Sequence, residues 1–382
     1  MGKRNIKLNL IMLTAITVII SACGSKIENS SVDYLSNSDS SYTYKKINKG
    51  YYFSCITSEK QIQLYNLILS AYQERVEEVN LGNIDEDLMK LIKKCVLNDH
   101  PELYYVSGEY GYVKNYINED LENYEIIFYP YYSMTYIEQQ QADEEIQEYL
   151  NQALSLISEE MSDYEKEKII YDYIVQHTEY VLDSDHNQDL YSVVKGKSVC
   201  MGISRMFQYL CNQVGIECTI VTGADENGTN HAWNCIKLED KEWYMVDVTS
   251  SYRKQLDNIT DGNTKEITYY YFNITKEQLL RSYSIQNIVE TPACKSYEQD
   301  YFFKNNRYYE TADTERLIQQ IEEINNLDEL ENEIEIRCAS LEILNELYSY
   351  FITEQRIYDN LSFLTTIQSI KSDKLLIFRI TW

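Results

Sequence analysis

The sequence predicts an α+β protein, and three observations carry that prediction. Between residues 196 and 221 a loop, a cysteine, a helical apolar face, a glycine and a strand-like apolar run follow in order. Two strand-like runs, 231–236 and 243–249, are then joined by a short polar turn, and segments of helical and strand-like pattern frame this stretch on both sides. Strands joined by so short a turn pair antiparallel, because a parallel return needs a crossover of about a dozen residues or more.

The frame is read in chain order. Helical spacing at Ile62, Tyr65, Leu69 and Tyr72 predicts a helix over 61–78, and a second over 86–97 runs into Asp99-His100-Pro101, where the proline marks a stop. Strand-like stretches follow at 103–106, 110–116 and 124–131, then helices over 136–160 and 164–176. Beyond 285 the pattern gives helices near 314–324 and 341–358 and a last strand over 374–380. At ~150 residues per domain the 382 residues suggest two or three domains. They divide into an export signal at 1–22, a disordered tether at 23–48, an N-terminal α+β region at 49–160, a catalytic core at 161–285 and a C-terminal α+β region at 286–382.

Charge narrows the partners. With 61 acidic against 34 basic side chains the formal charge is -27, and such a surface repels phosphate backbones, so nucleic acid is not expected as a partner. The 37 tyrosines read as semi-exposed packing aromatics at core edges.

The N-terminus says where the protein works. Lys3-Arg4 and Lys7 precede an apolar run over 8–20 and the small residues Ser21-Ala22 before Cys23, a run shorter than the ~20 residues a spanning helix needs. This is the layout of an export signal. Ile20-Ser21-Ala22-Cys23 also resembles a bacterial lipobox, which implies lipidation at Cys23 and an extracytoplasmic protein held to the membrane by its N-terminal lipid. The Ser- and Asn-rich stretch that follows, without apolar period, reads as the tether.

Of the nine cysteines none has C-x-x-C spacing, which argues against a structural zinc site. Cys200 stands apart. It sits in Gly196-Lys197-Ser198-Val199-Cys200-Met201-Gly202, and Ile203, Met206, Phe207, Leu210 and Val214 then trace one helical face, so the sulfur lies at a helix N-terminus. The partial positive charge and free N–H groups there favour thiolate over thiol. A hairpin centred on Glu239 sets His231 opposite Asp247 on one face, with Cβ atoms ~4.5–5.5 Å apart, so that Asp247 can hold one ring nitrogen and aim the other at Cys200. That is the logic of a nucleophile, base and orienting carboxylate.

These residues resemble the transglutaminase-like superfamily of papain-like cysteine enzymes. The likeness rests on 196–202, on Gly215-Ile216 with Val221-Thr222-Gly223, on His231-Ala232-Trp233-Asn234 and on Trp243-Tyr244-Met245-Val246-Asp247-Val248-Thr249. It implies a core in which a helix-borne Cys packs on an antiparallel sheet, with Cys200 as nucleophile, His231 as general base and acid, and Asp247 as orienting carboxylate. It further implies acyl transfer or hydrolysis at peptide or glutamine amides through an acyl-thioester, without metal or cofactor, on a protein or peptide substrate of the cell envelope or surroundings. Papain-like enzymes hold the oxyanion with the nucleophile's own N–H and a second donor, for which Tyr191 is the candidate. Relatives often carry Trp after the Asp-x-Thr run, where this chain has Ser250-Ser251. A surface binding module on the same fold, without turnover, is the alternative.

Other features have plainer explanations. Asp183, Asp185, Asn187 and Asp189 alternate like the start of a calcium loop, but its sixth position is Gln188 and its twelfth Val194, which points to a solvated acidic loop. His100, His177 and His186 read as surface or capping residues, and 322–335 as solvated acidic faces.

Overall fold

The structure, a computed structural model, describes residues 34–36, 43–45, 50–117, 123–183, 187–251, 267–326 and 332–382. The export signal, Cys23 and most of the expected tether lie outside the described residues, as does His186. Within 23–48 the segments Tyr34–Ser36 and Thr43–Lys45 pair as a short antiparallel ladder. No helix among the described residues is long and apolar enough to cross a membrane.

The centre is a four-stranded antiparallel sheet in the order Trp243–Val246, Asn230–Lys237, Glu217–Asp225, Tyr283–Ile285. Successive side chains of a strand point to opposite faces, and here both faces are covered. Ile236, Tyr244 and Val246 join Phe207 and Leu210 of the helix Cys200–Gln213 in one cluster. Val221, Trp233, Cys235 and Met245 join Tyr270, Cys294 and Phe302 in another. A sheet buried on both faces leaves its strand ends as the route to solvent, and His231 is the second residue of its strand.

The predicted helical face holds: Ile203, Met206, Phe207 and Leu210 are buried, and Val214 is half-buried as the helix ends. Gly202 permits the first turn to sit tightly on the preceding loop, since a Cβ there would lie 2.3 Å from Ser198 Oγ and 2.6 Å from the Asp189 carbonyl oxygen. The helix Asp163–His177 packs beside it, with a capping box at Ser162 and Glu165.

The N-terminal part places the helices Glu59–Gln73, Glu86–Asp99 and Tyr136–Leu154 around a sheet of Val79–Asn80, Tyr124–Tyr132 and Val106–Tyr116. Its core is continuous with that of the centre, one cluster running from Tyr52 through Ile92 and Phe128 to Phe207. The predicted helix over 61–78 is shorter in fact, because Arg75 takes a left-handed backbone (φ 53°) and turns the chain. The C-terminal part has its own cluster, with Leu317, Ile336, Leu344 and Phe378 between helices and a sheet ordered Tyr308–Tyr309, Glu333–Cys338, Ile377–Thr381, Gln368–Ser372.

Many described tyrosines, such as Tyr110, Tyr191 and Tyr283, are half-buried as expected, but others depart from the expectation. Tyr52, Tyr65, Tyr171 and Tyr309 are fully buried. Each hydroxyl finds an interior acceptor: Ile220 O at 2.7 Å, Asp99 Oδ2 at 2.9 Å, Thr268 O at 2.9 Å and Gln320 Oε1 at 2.8 Å respectively. Burying a phenol is tolerated once its hydroxyl is bonded.

Gly223 offers a test of the packing that holds the Tyr283 strand. A Cβ at this position would stand 1.9 Å from the Ser284 carbonyl oxygen and 2.6 Å from the Trp233 ring. Gly223→Ala is expected to destabilise the protein by about 1–3 kcal/mol, read as a lower urea midpoint at unchanged slope.

Candidate active site

Cys200 is the first residue of the helix Cys200–Gln213. Its N-cap, Val199, is extended (φ -117°, ψ 178°) and offers no side-chain cap to the first turn. The thiol is partly exposed, whereas Cys95, Cys211, Cys218, Cys235, Cys294 and Cys338 are buried and Cys55 is exposed. Burial pushes the thiols of Cys95 and Cys338 up to about 12, and those of Cys211 and Cys235 well up. These sulfurs stay protonated and sheltered at neutral pH.

His231 pairs with Gly223 across the sheet, and its Nε2 lies 2.8 Å from Asp247 Oδ2. The hairpin register differs from the expectation. Trp243 pairs with Lys237 and Val246 with Asn234, so the turn is centred on Asp240, with Lys241 in a left-handed conformation (φ 68°). Continued by one residue, this register sets Asp247 opposite Trp233 rather than His231. A shift of two positions keeps the face, so the carboxylate still meets the imidazole, on the diagonal.

Past Val246 the chain leaves the strand, the Asp247 N–H donates to Tyr271 O at 2.9 Å, and a 3-10 turn follows over Val248–Ser251. That turn folds its amides back onto Asp247 Oδ1, from Thr249 at 3.0 Å and Ser250 at 3.4 Å. Oδ2 accepts from the Ser250 hydroxyl at 2.6 Å and the Tyr283 hydroxyl at 2.9 Å besides His231. The carboxylate is fully buried. Burial would raise its proton affinity, but the His231 charge and the bonds from His231, Ser250 and Tyr283 outweigh that and hold it below the ordinary carboxylate range.

A carboxylate that stays ionised can only accept, so Nε2 carries a proton and Nδ1 is the nitrogen left for the sulfur. Cys200 is the second group acting on this ring. Burial alone would lower the imidazole, but Asp247 and then Cys200 reverse the sign and raise it to about 10. Tyr283 and Trp233 wall the ring, with centroids 5.0 and 5.9 Å away. The structure thus bonds His231 to Asp247, with Cys200 acting on the same ring.

Tyr191 lies elsewhere, which corrects its assignment as the second oxyanion donor. The short helix Leu190–Val194, capped by Asp189, turns it towards Tyr136–Leu154, where its hydroxyl donates to Glu145 Oε2 at 3.1 Å beside Tyr104. Sequence reasoning missed three residues that do touch the site. Ser250 and Tyr283 hold Asp247, and Tyr180 lies on a two-residue strand paired with Lys197–Ser198 just before Cys200. Ser250, noted only as a departure from relatives, carried the one available signal, an Asp followed three residues on by a hydroxyl that can fold back on it. Of the other histidines, His100 is buried at the end of Glu86–Asp99 with Nδ1 2.7 Å from Glu102, and His177 closes its helix stacked on Tyr173. Asp189 serves as a helix cap.

Residues 151–248 match the family model of the transglutaminase-like superfamily. Kyphoscoliosis peptidase of Mus musculus is 27% identical over 121 residues, covering 27% of this chain. The match spans only 17% of that curated relative's length. Among solved structures, one described as a TGase aligns with a TM-score of 0.28 and 15% identity, over 48% of this chain and 52% of its own. A candidate cysteine protease from Cytophaga hutchinsonii aligns at 0.24 and 16%, over 38% and 63%.

The raised His231 pKa makes a pH prediction. Because the folded value, about 10, exceeds the unfolded ~6.5, the stabilisation is full below pH ~6.5 and is lost as pH rises through about 10. The gap in urea stability between the wild type and Asp247→Asn is therefore expected to be widest below pH ~6.5 and to close towards pH 10. NMR titration of the ring should give a midpoint near 10, falling in Asp247→Asn as burial acts with less opposition.

Proposed function

Because residues 151–248 form a transglutaminase-like domain, we propose that the protein is a cysteine-dependent acyl transferase or amide hydrolase working through an acyl-thioester on Cys200. The observation that carries this is the 2.8 Å bond between His231 Nε2 and a fully buried Asp247, with Cys200 acting on the same ring from a helix N-terminus. The Cys200 sulfur attacks the carbonyl carbon of a peptide or glutamine amide. His231, whose raised proton affinity lets the ring hold the sulfur's proton before attack, delivers that proton to the leaving nitrogen, which departs as ammonia or amine when the C–N bond breaks. An amine or water then attacks the thioester, giving up a proton to His231, and the C–S bond breaks to return the sulfur anion beside the protonated ring. Asp247 stays ionised throughout and holds the ring. Every bond and proton in this scheme is handled by these three side chains.

The lipobox at Cys23 supports an extracytoplasmic location on the cell membrane, and with it a protein or peptide substrate in the envelope or its surroundings. Intact mass of the membrane-fraction protein is expected to show a mature N-terminus at Cys23 with added lipid mass. A start elsewhere, or no lipid, would remove the anchor from the proposal.

Alkylation tests the chemistry. At pH 7 iodoacetamide is expected to modify Cys200 well ahead of the other thiols, and His231→Ala to slow this by about 100-fold. Equal rates at all thiols would favour a binding module without turnover. With envelope extracts and a tagged amine, the wild type and not Cys200→Ala should yield labelled or cleaved peptides.

A further inference from the structure

The strand Glu179–Tyr180 pairs parallel with Lys197–Ser198, which sets Tyr180 level with Ser198, two residues before the nucleophile. The Glu179 N–H donates to Gly196 O at 2.8 Å and the Val181 N–H to Ser198 O at 2.9 Å, so the backbone on both sides of Tyr180 is fixed to the nucleophile loop. Tyr180 itself is 44% exposed. Cys200, two residues past Ser198, opens its helix with a first-turn backbone N–H that the N-cap side chain leaves uncapped.

That N–H is where an acyl oxygen would come. When the sulfur attacks a carbonyl, the π pair moves onto oxygen, and the nearest fixed donor is the attacking residue's own amide at its helix terminus. One amide leaves part of the developing charge unbonded, and a second donor has to stand within hydrogen-bond reach of the same point. Tyr191 does not meet this requirement, since its hydroxyl is committed to Glu145. From the ladder that pins Tyr180 to the nucleophile loop and the exposure of its side chain beside that loop, we infer that Tyr180 is the second donor to the oxyanion formed on Cys200. The inference rests on the acyl-thioester mechanism proposed above. Substrate oxygen comes to the Cys200 amide, and the phenol O–H turns onto that oxygen. Partial burial, and then the neighbouring Cys200 and Asp247, raise the phenol above its ordinary value, so it keeps the proton it has to donate.

The test contrasts two reactions of one thiol. Acetylation by p-nitrophenyl acetate forms the S–C bond through a tetrahedral oxyanion, which collapses to the thioester as the C–O bond breaks and p-nitrophenolate leaves. Alkylation by iodoacetamide displaces iodide at a saturated carbon and forms no oxyanion. In full-length Tyr180→Phe, acetylation of Cys200 followed by intact mass is expected to slow about 10²-fold, with alkylation within about threefold of the wild type. Acetylation at the wild-type rate, or an equal fall in both reactions, would overturn the inference, the second outcome making Tyr180 a residue that merely positions Cys200. A wild type acetylated no faster than Cys200→Ser would instead remove the acyl-thioester mechanism, and the inference with it.

Discussion

A carboxylate shut away from water has to be given partners or give up its charge. Asp247 is given five: the imidazole of His231, the hydroxyls of Ser250 and Tyr283, and the amides of Thr249 and Ser250. They arrive from three directions, the neighbouring strand, the turn after Val246 and the sheet's far edge strand. An acceptor satisfied in this way fixes the ring it holds, and the ring's orientation decides which nitrogen meets the sulfur. Remove the ionised carboxylate and the ring loses both its tautomer preference and its raised proton affinity.

The rest of the architecture delivers these groups. Both faces of the sheet are covered, so reactive side chains collect at the strand ends, where the helix Cys200–Gln213 also begins. Two close approaches make this possible. Gly202 seats the first turn of the helix on the loop before it, and Gly223 admits the strand Tyr283–Ile285 and the Trp233 ring. The same closeness brings Tyr283 to both Asp247 and the His231 ring, so one phenol serves the sheet, the carboxylate and the wall of the crevice.

Much of this was legible in the sequence because it is local. The amphipathic face from Ile203 to Leu210 follows from helical spacing, and the placement of Cys200 at the helix start follows from the loop before it. His231 and Asp247 were found because strand alternation fixes which residues share a face. The exact register was not legible: the left-handed Lys241 moved the turn centre from Glu239 to Asp240, a choice made by backbone conformation rather than by pattern. Since the error was two positions, the face survived and the pair still met.

What the sequence determined by itself is the order of chemical groups and the faces they occupy, because helix and strand periods depend on neighbours a few residues apart. Tertiary structure alone decided the support around them. Tyr180 comes to the loop before Cys200 through a parallel ladder between 179–180 and 197–198, and Tyr283 meets Asp247 across a sheet closed over 36 positions. Tyr191, closer to Cys200 in the chain than Tyr180, points to Glu145. Such contacts depend on how distant elements pack, and nothing in the spacing of residues along the chain encodes a distance of that kind.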